Sequence, residues 1–233
     1  MMFNKKREPI NQLEIINRPK SVVSEQFRTL RTNIQFTSAD VDIQRLLITS
    51  SEQAEGKSTV AANLAASFAQ AGHRTLLIDA DMRKPTQHKI FGKLNVKGLS
   101  NLIAGQIDIN SAVQETDQEN LYLISAGPVP PNPAELLAST SMEQLLEQLD
   151  QSFGIILLDT PPVLAVTDAK VLSHLVDGTL LVVNSKKTHR EKVIDAKNEL
   201  EKSTARILGV VINDLDKKED GDYYYYYGEK ERV

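Results

Sequence analysis

The stretch RLLITSSEQAEGKST, residues 45–59, decides the fold of this 233-residue chain. Its first five residues predict a short buried strand, and the alanine-rich segment 58–71 predicts a helix. The loop between them ends in Gly56-Lys57-Ser58. Such a loop can bind phosphates, because its backbone N–H groups surround them, the lysine neutralises their charge and the hydroxyl can ligate magnesium. The stretch therefore predicts a nucleotide-phosphate site.

This phosphate-binding loop, called the P-loop below, covers residues 51–59. The strict motif has glycine at its first position, where this chain has Ser51. On the loop alone, an alternative stays open in which Gly-Lys-Ser only begins a helix. Asn213, at the end of the last predicted strand, is a candidate contact for the nucleotide base. The predicted nucleotide-binding residues are Ser51, Glu52, Gln53, Ala54, Glu55, Gly56, Lys57, Ser58, Thr59 and Asn213.

Short apolar runs alternate with helix-like segments along the chain. Runs that are apolar throughout suit a sheet covered on both faces, and the strand-then-helix alternation implies right-handed crossovers between parallel strands. We therefore predict an α/β fold, a doubly wound and mostly parallel sheet flanked by helices. The predicted strands are residues 45–49, 75–79, 121–125, 155–159, 179–184 and 207–213, and further helices are predicted from residue 140 and over residues 191–202.

The chain divides into three parts. Residues 1–20 are predicted to form a flexible N-terminal arm, and residues 21–213 the P-loop domain, whose first helix, 21–36, carries an apolar stripe. The composition becomes strongly charged after this domain, so residues 214–233 are predicted to form a mobile C-terminal tail. The tail contains five consecutive tyrosines, Tyr223, Tyr224, Tyr225, Tyr226 and Tyr227.

The tyrosine run is unusual for a packed domain, which distributes its tyrosines so that each ring is buried and each hydroxyl has a partner. Here charged residues flank the run on both sides, and such segments favour solvent. A cluster of accessible hydroxyl groups is a candidate phosphate acceptor. An ordinary low-complexity tail and an aggregation-prone strand are the alternatives.

The composition excludes several classes of protein. The net charge of −4 argues against general nucleic-acid binding, and the absence of cysteine excludes disulfides and thiolate metal sites. No apolar run approaches the length of a membrane span, and the first residues lack a signal-peptide pattern. We therefore expect a soluble, cytoplasmic protein that would need a partner to be held at a membrane.

Two predicted strands end in acid, one in Asp79 and Asp81 and the other in Asp159. Ligands bind beyond the carboxyl ends of an open parallel sheet, so the three carboxylates are expected to meet the P-loop. Magnesium on nucleotide phosphates takes one or two protein carboxylates, which leaves one to act on an incoming hydroxyl. Arg83 and Lys84 add positive charge for a transferred phosphoryl group or an acidic peptide. Turn-forming aspartates and a solvated basic pair are the alternatives.

Together these motifs resemble the bacterial tyrosine kinases of capsular and exopolysaccharide biosynthesis, in the soluble form typical of Gram-positive bacteria. That family is similar in fold to P-loop ATPases of the MinD and ParA kind, whose loops carry an additional early lysine that residues 51–54 lack. The resemblance spans nearly the whole chain and rests on residues 25–33, 55–59, 77–85, 127–137, 159–162 and 223–227.

The resemblance implies ATP and Mg2+ as cofactors and suggests roles for individual residues. Lys57 would contact the β and γ phosphates, and Asp79 would be the base for the tyrosine hydroxyl. Ser58, Asp81 and Asp159 would position magnesium. Arg83, the basic residue beside the predicted site, completes the predicted catalytic set. The set is Lys57, Asp79, Asp81 and Arg83.

The resemblance also implies self-association through Glu25, Arg28 and Arg31. Their spacing of three places these charges on one helix face, available to a partner. An intrahelical Glu25–Arg28 pair on a solvated face is the alternative. In the family such contacts build a ring-like homo-oligomer, an octamer, in which each tail enters its neighbour's site.

The implied function is an ATP-dependent protein tyrosine kinase that autophosphorylates its tail in trans and regulates capsular or exopolysaccharide synthesis and export. The implied activator is the cytoplasmic tail of a membrane polysaccharide chain-length regulator, which would recruit the chain to the inner face of the membrane. A cognate tyrosine phosphatase and other protein substrates complete the expected partners, with no nucleic acid. The alternative is a nucleotide-switched scaffold or partner ATPase without kinase activity.

The P-loop departs from the family at Gln53-Ala54, where Pro-Gly is usual. If the loop needs a positive φ there, Ala54 costs about 1 kcal/mol. Low intrinsic turnover is then expected.

Overall fold

The computed structural model describes residues 13–37, 43–203 and 205–215. Its centre is a seven-stranded sheet in the order β3-β4-β2-β5-β1-β6-β7, and every neighbouring pair is parallel except β3 with β4. This arrangement confirms the predicted mostly parallel α/β fold. The strands are β1 Arg45–Ser50, β2 Thr75–Asp79, β3 Val113–Glu115, β4 Leu121–Ile124, β5 Ile155–Asp159, β6 Gly178–Asn184 and β7 Ile207–Asn213.

Helices connect the strands and cover both faces of the sheet. They are α1 Glu14–Asn17, α2 Val22–Phe36, α3 Lys57–Gln70, α4 Gln87–Ile90, α5 Leu99–Ile103, α6 Ile109–Ala112, α7 Pro133–Leu137, α8 Thr140–Asp150, α9 Asp168–Leu172 and α10 Arg190–Lys202, with a 3-10 turn at Ser173–Leu175.

Two apolar cores lie on opposite faces of the sheet. Ile48 of β1 packs in the same core as Phe68 of α3, whereas the preceding residue, Leu47, packs in the core that contains Leu146 of α8. Because successive strand residues point to opposite faces, a strand buried on both sides must be apolar throughout. This is why the central strands were recognisable in the sequence.

The strand order places the predicted site residues together. β5 lies between β1 and β2, and Asp159 is paired in register with Ile48 on one side and with Asp79 on the other. The loops that follow these three strands therefore leave the sheet side by side at its carboxyl edge.

The edge strand β3 was not predicted. It has three residues, is antiparallel to β4 and is at most half-buried, so it lacks the long apolar run that marks the other strands. Its pairing with β4 depends on tertiary contact, which a three-residue pattern cannot reveal.

The N-terminal arm differs from the prediction in its described part. Residues 14–17 form α1, Ile15 is fully buried, and its N–H donates to Asn63 Oδ1 of α3 at 3.1 Å. The Ser24 hydroxyl of α2 donates to Arg18 O at 2.7 Å. The prediction of a flexible arm is therefore wrong for residues 13–16, which pack onto the domain, while residues 17–20 are exposed.

Other predicted segments lie outside the described residues. These are residues 1–12 and most of the predicted tail, including the tyrosines 223–227. Among the described residues, no helix combines the length and the apolar character needed to cross a bilayer.

Candidate active site

The P-loop is held in shape from within by Glu55. This residue is 3 % exposed, and its carboxylate accepts hydrogen bonds from the Ser51 hydroxyl at 3.2 Å and the Glu52 N–H at 3.0 Å. The Thr188 hydroxyl, from the loop after β6, also donates to it. Glu55 thus satisfies donors inside the loop, a role that the sequence did not reveal.

Two residues of the loop have a positive φ. Gly56, at 93°, has no room for a side chain, since an added Cβ would lie 2.0 Å from Asn213 Nδ2. The same Asn213 amide donates to Glu55 O at 3.0 Å. Ala54 has a φ of 62°. The condition for strain at Ala54 is therefore met, and a non-glycine residue in this region is destabilising.

Lys57 lies at the centre of the predicted carboxylate group. Its ammonium is 3.0 Å from Asp81 Oδ2 and 3.2 Å from Asp159 Oδ1, and it donates to Ser58 Oγ at 3.2 Å. Burial acts to lower the pKa of Lys57, but the charges of Asp159 and Asp81 outweigh it and leave the pKa raised. The lysine is therefore charged at neutral pH and is available to phosphates that replace the aspartates.

Asp79 lies beneath the other carboxylates and is fully buried. Its Oδ2 accepts from the N–H groups of Thr86 and Gln87, each at 2.9 Å, whereas Oδ1 has no hydrogen-bond partner among the described residues. Burial and the nearby charge of Asp159 raise the pKa of Asp79 to about 7. A carboxylate with this pKa suits proton transfer near neutral pH.

Gln87, the first residue of α4, is a site residue that the sequence did not indicate. Its amide Nε2 donates to Asp159 Oδ2 at 2.8 Å and to Ser58 O at 3.0 Å, and the residue is fully buried. It fixes the orientation of the Asp159 carboxylate. An uncharged residue outside any recognisable motif gives no signal of this role.

The predicted basic pair borders the site and is bonded elsewhere. The Arg83 guanidinium donates from Nε and Nη2 to the two carboxylate oxygens of Asp168, each at 3.1 Å. Asp168, at the start of α9, is fully buried. Lys84 Nζ donates to Gln53 Oε1 at 2.8 Å. The structure therefore places Arg83 beside the site in a bidentate pair, and Asp168 is a further residue that the sequence did not indicate.

A cleft of about 370 Å³ opens between the P-loop and the loops after β2 and β5. Asp81 lines this cleft, but Asp79 does not. Asp79 is fully buried, so its carboxylate is not accessible from the cleft in this structure. The cleft is lined by Gln53, Ala54, Gly56, Lys57, Ser58, Thr59, Asp81, Arg83, Lys84, Thr86, Pro161, Pro162, Ala165 and Val166.

These groups fit a nucleotide phosphate with magnesium. The first residues of α3 contribute the N–H groups of a helix N-terminus, and the half-buried Lys57 contributes a positive charge. The Ser58 hydroxyl and the Asp81 and Asp159 carboxylates are oxygen ligands of the kind that magnesium prefers. Within the described ranges, no three acidic or histidine side chains form a complete metal site, so phosphate oxygens and water would have to supply the remaining ligands.

The charges predicted for self-association lie on α2 and have different surroundings. Arg28 forms an ion pair with Glu25 and donates to Pro19 O at 2.7 Å. The alternative intrahelical pair is therefore present. Arg31 is half-buried and donates to Ser67 O of α3 at 2.7 Å. The exposed Glu25 and the half-buried Arg28 thus form a pair at the surface, whereas Arg31 fastens α2 to the domain.

Comparison with known proteins identifies the family. The AAA domain family matches residues 46–193. The tyrosine-protein kinase YwqD of Bacillus subtilis is 42 % identical over 228 residues, which cover 97 % of this chain and 96 % of that protein. The chain belongs to the bacterial tyrosine kinases. The kinase is also 37 % identical to the tyrosine-protein kinase CpsD of Streptococcus agalactiae, over 96 % of this chain and 99 % of that protein.

Solved structures of similar proteins support the same assignment. The chimerical protein CapA2B2 aligns with this kinase at a TM-score of 0.87 and 41 % identity, covering 90 % of this chain and 92 % of that one. The kinase domain of the Escherichia coli tyrosine kinase ETK aligns at 0.86 and 32 % identity, covering 94 % and 86 %. The septum site-determining protein MinD of Pyrococcus horikoshii, at 22 % identity and a TM-score of 0.62 over 77 % and 76 %, shares the fold. The predicted family and fold are confirmed.

Proposed function

We propose that this kinase uses ATP and Mg2+ to phosphorylate the tyrosines 223–227 of its own tail in trans, and that it thereby regulates capsular or exopolysaccharide synthesis and export. One observation supports the phosphoryl transfer above all others. A half-buried, charged lysine, Lys57, lies at the mouth of the P-loop, 3.0 Å from Asp81 and 3.2 Å from Asp159. Phosphoryl transfer requires this kind of positioned charge rather than covalent chemistry by the protein.

Lys57 would exchange partners during the reaction. It pairs with two aspartates, and the phosphates of bound ATP would take their place because they carry more negative charge. The lysine would then stabilise charge on the transferred phosphoryl group, in a site largely shielded from water. Gln87 would keep Asp159 oriented after the lysine has left it.

Ser58, Asp81 and Asp159 would hold the magnesium ion. When bound, the ion neutralises phosphate charge and helps to align the phosphates. The position of the Ser58 hydroxyl supports this role, since its oxygen lies 3.2 Å from the Lys57 ammonium that would contact the phosphates. Asp81 is anchored by the Lys84 N–H, which donates to its Oδ1 at 3.0 Å, so its Oδ2 remains for the lysine or the ion.

Asp79 would accept the proton of the tyrosine hydroxyl. The bond from the tyrosine oxygen to the γ phosphorus forms, the bond from that phosphorus to the bridging oxygen breaks, and the proton passes to Asp79 Oδ1. That oxygen has no other partner among the described residues, and the pKa of about 7 lets the carboxylate accept a proton near neutral pH. Because Asp79 is fully buried, this role would require the loop after β2 to open when an acceptor enters.

Self-association would bring one copy's tail to another's site. The surface Glu25–Arg28 pair can exchange its internal contact for a partner at little cost, since surface ion pairs contribute roughly 0–1 kcal/mol. Arg31 would act by holding α2 in place. By analogy with the family, the assembly would be a ring-like homo-oligomer, an octamer.

Phosphorylation would loosen that assembly. Each phosphotyrosine adds a charge of about −1.5 to −2, so five would add about −7.5 to −10 per subunit. This exceeds the starting net charge of −4. Repulsion from the three site aspartates and between tails would then release the tail.

The remaining partners are proposed on the family resemblance. They are an activating cytoplasmic tail of a membrane polysaccharide chain-length regulator, a cognate tyrosine phosphatase and other protein substrates. Binding to the chain-length regulator would recruit the kinase to the inner face of the membrane. An activator that relaxes the P-loop would offset the strain at Ala54, whose φ is 62°.

Incubation of the purified chain with Mg-ATP, followed by phosphate mapping with mass spectrometry, tests the proposed function. Phosphate is expected on the tyrosines 223–227 in the wild type and in Lys197→Met, a control at an exposed lysine paired with Glu201. It should be lost in Lys57→Met. ATP hydrolysis without any phosphotyrosine, even with a candidate activator tail present, would instead support the nucleotide-switched scaffold.

A further inference from the structure

The cleft beside the P-loop has two chemically different sides. The polar side contains the groups proposed above for phosphate and magnesium. The other side, called the cleft wall below, consists of Pro161, Pro162, Ala165 and Val166. Phosphates and magnesium bind polar groups, so an apolar ligand group would suit the cleft wall better.

The cleft wall is held rigidly and is open to the cleft. Its backbone is fastened to β1, since the Thr49 hydroxyl donates to Pro161 O at 2.8 Å and the Val163 N–H donates to Ser50 O at 2.9 Å. The two prolines are buried, whereas Val166 is half-buried and Ala165 is exposed. An aromatic ring could therefore cover the wall without rearrangement of the backbone.

The position of the cleft wall separates it from the predicted base contact, Asn213. Strands β5 and β2 lie on one side of β1, and β6 and β7 lie on the other. The described residues that line the cleft come from the P-loop and from the loops after β2 and β5. Asn213 ends β7, on the opposite side. The cleft wall and the predicted base contact therefore follow strands on opposite sides of β1, which leaves the cleft wall for a group other than the nucleotide base.

The rim of the cleft is basic. Lys84 is bonded to a neutral amide, Gln53, and keeps its positive charge at the mouth. Arg83 lies beside it, held by the buried Asp168, two residues beyond the cleft wall. The chain carries a segment with complementary chemistry outside the described residues: the tyrosines 223–227, with acidic residues at 219, 220, 222 and 229.

We propose that the cleft wall is the acceptor subsite, that it seats the ring of a tail tyrosine of this chain, and that the basic rim holds the acidic residues beside that tyrosine. The wall would favour tyrosine over serine or threonine, which have no ring to cover it. This inference rests on the proposed autophosphorylation and names the surface that selects its substrate.

Val166→Asp in the full-length chain tests the cleft wall, because a carboxylate cannot be covered by a ring without losing its hydration. Initial rates of tail phosphorylation should fall about tenfold or more, the loss expected when an apolar contact of this size is removed. Val166→Thr, which exchanges one methyl group for a hydroxyl, should fall about fourfold. Equilibrium binding of Mg-ATP should be unchanged in Val166→Thr, which adds no charge to the cleft.

Leu94→Asp is the matched control, since it also places a carboxylate at an apolar position, one that is 75 % exposed and outside the cleft. It should phosphorylate its tail like the wild type. Wild-type rates in both Val166→Asp and Val166→Thr would overturn the acceptor subsite. So would a parallel loss of Mg-ATP binding in Val166→Thr, which would assign the wall to the nucleotide. If the wild-type chain phosphorylates none of its own tyrosines, the proposed function itself is contradicted. The tail tyrosine would then also be excluded as the ligand of the cleft wall.

Discussion

The two ends of the parallel sheet carry charged groups that are arranged in opposite ways. At the amino end, Arg45 Nε donates to Asp150 Oδ1 at 3.0 Å and its Nη1 donates to Leu175 O at 3.0 Å. Asp177 Oδ2 accepts from the Gln44 N–H at 2.8 Å and from the Arg45 N–H at 2.7 Å. Arg45, Asp150 and Asp177 each have an opposite charge or fixed hydrogen-bond partners beside them.

At the carboxyl end, three buried aspartates surround one lysine. Lys57 pairs with Asp81 and Asp159, while Asp79 retains an unpartnered oxygen among the described residues and a pKa of about 7. The negative charge is in excess. Charged groups that gain opposite charges or hydrogen bonds on folding contribute to stability. A cluster with excess negative charge instead keeps its groups available to bind a ligand or a proton.

The largest effect is expected from Asp79→Asn. Asparagine keeps an oxygen for the N–H groups of Thr86 and Gln87 but cannot accept a proton, so tail phosphorylation should fall by about 10²–10⁴-fold. Initial rates measured by quantitative phosphotyrosine detection check this. Asp81→Asn is the comparison, because Asp81 lines the cleft. A fall of less than about tenfold in Asp79→Asn would remove Asp79 as the base.

Asp150→Ala tests the paired charges at the amino end of the sheet. Loss of the partly buried pair with Arg45 should lower the free energy of unfolding by about 2 kcal/mol, or roughly thirtyfold in the folding equilibrium. Urea denaturation measures it, and Mg-ATP binding should be unchanged. Glu201→Ala, which removes an exposed pair with Lys197, should leave the midpoint where it is. Equal losses of stability in Asp150→Ala and Glu201→Ala would contradict the distinction between a partly buried ion pair and an exposed one.

The pH dependence of the phosphorylation rate should show the titration of Asp79 at the carboxyl end of the sheet. Because the pKa of Asp79 is raised to about 7, its ionised fraction and the phosphorylation rate should rise about tenfold between pH 6 and pH 8. Rate profiles of the wild type and of Asp81→Asn should share this rise. A flat wild-type profile across this window would count against a carboxylate base.

The free energy of unfolding should change with pH in the opposite direction to the rate, falling as the pH rises from about 4 to about 7. Between about pH 4 and pH 7 the folded chain holds a proton on Asp79 that the unfolded chain has released. The contribution of this group to stability is therefore complete below the unfolded pKa and is lost as the pH rises through about 7. Urea midpoints of the wild type relative to Asp79→Asn should record this loss.

The smallest effect is expected at the strained turn of the P-loop. Ala54→Gly should raise the free energy of unfolding by about 1 kcal/mol, since glycine adopts a φ of 62° without a steric penalty. Ala104→Gly is the matched control, because Ala104 has a φ of −74° and should be slightly destabilised. Thermal or urea unfolding of both variants measures the difference. The same direction of change in both would show that φ at residue 54 is not the cause.

Much of this architecture could be predicted because it depends on neighbours in the sequence. The apolar runs of β1, β2 and β5 and the loop leading into α3 are local patterns, and the parallel sheet brings the ends of those strands together. Lys57, Asp81 and Asp159 were expected at one site, and they are in contact. Family resemblance then named the chemistry, which the comparisons support.

The supporting residues could not be predicted, because their contacts join distant parts of the chain. Gln87 is 72 residues from Asp159, and Thr188 is 133 residues from Glu55. Neither belongs to a motif, and a glutamine or a threonine carries no charge that would mark it. The packing of Ile15 against α3 escaped the prediction for the same reason, since a single short helix gives too weak a pattern.

The sequence by itself determined that this chain places a lysine, a hydroxyl and three aspartates at the carboxyl edge of a parallel sheet, because strand, loop and helix patterns are local. Only the tertiary structure decided how these groups behave. It buried Asp79 and raised its pKa, gave Lys57 two partners to exchange, tied Arg83 to Asp168 and built the apolar cleft wall. Desolvation and Coulomb energies depend on distances across the folded chain, so no local pattern contains them.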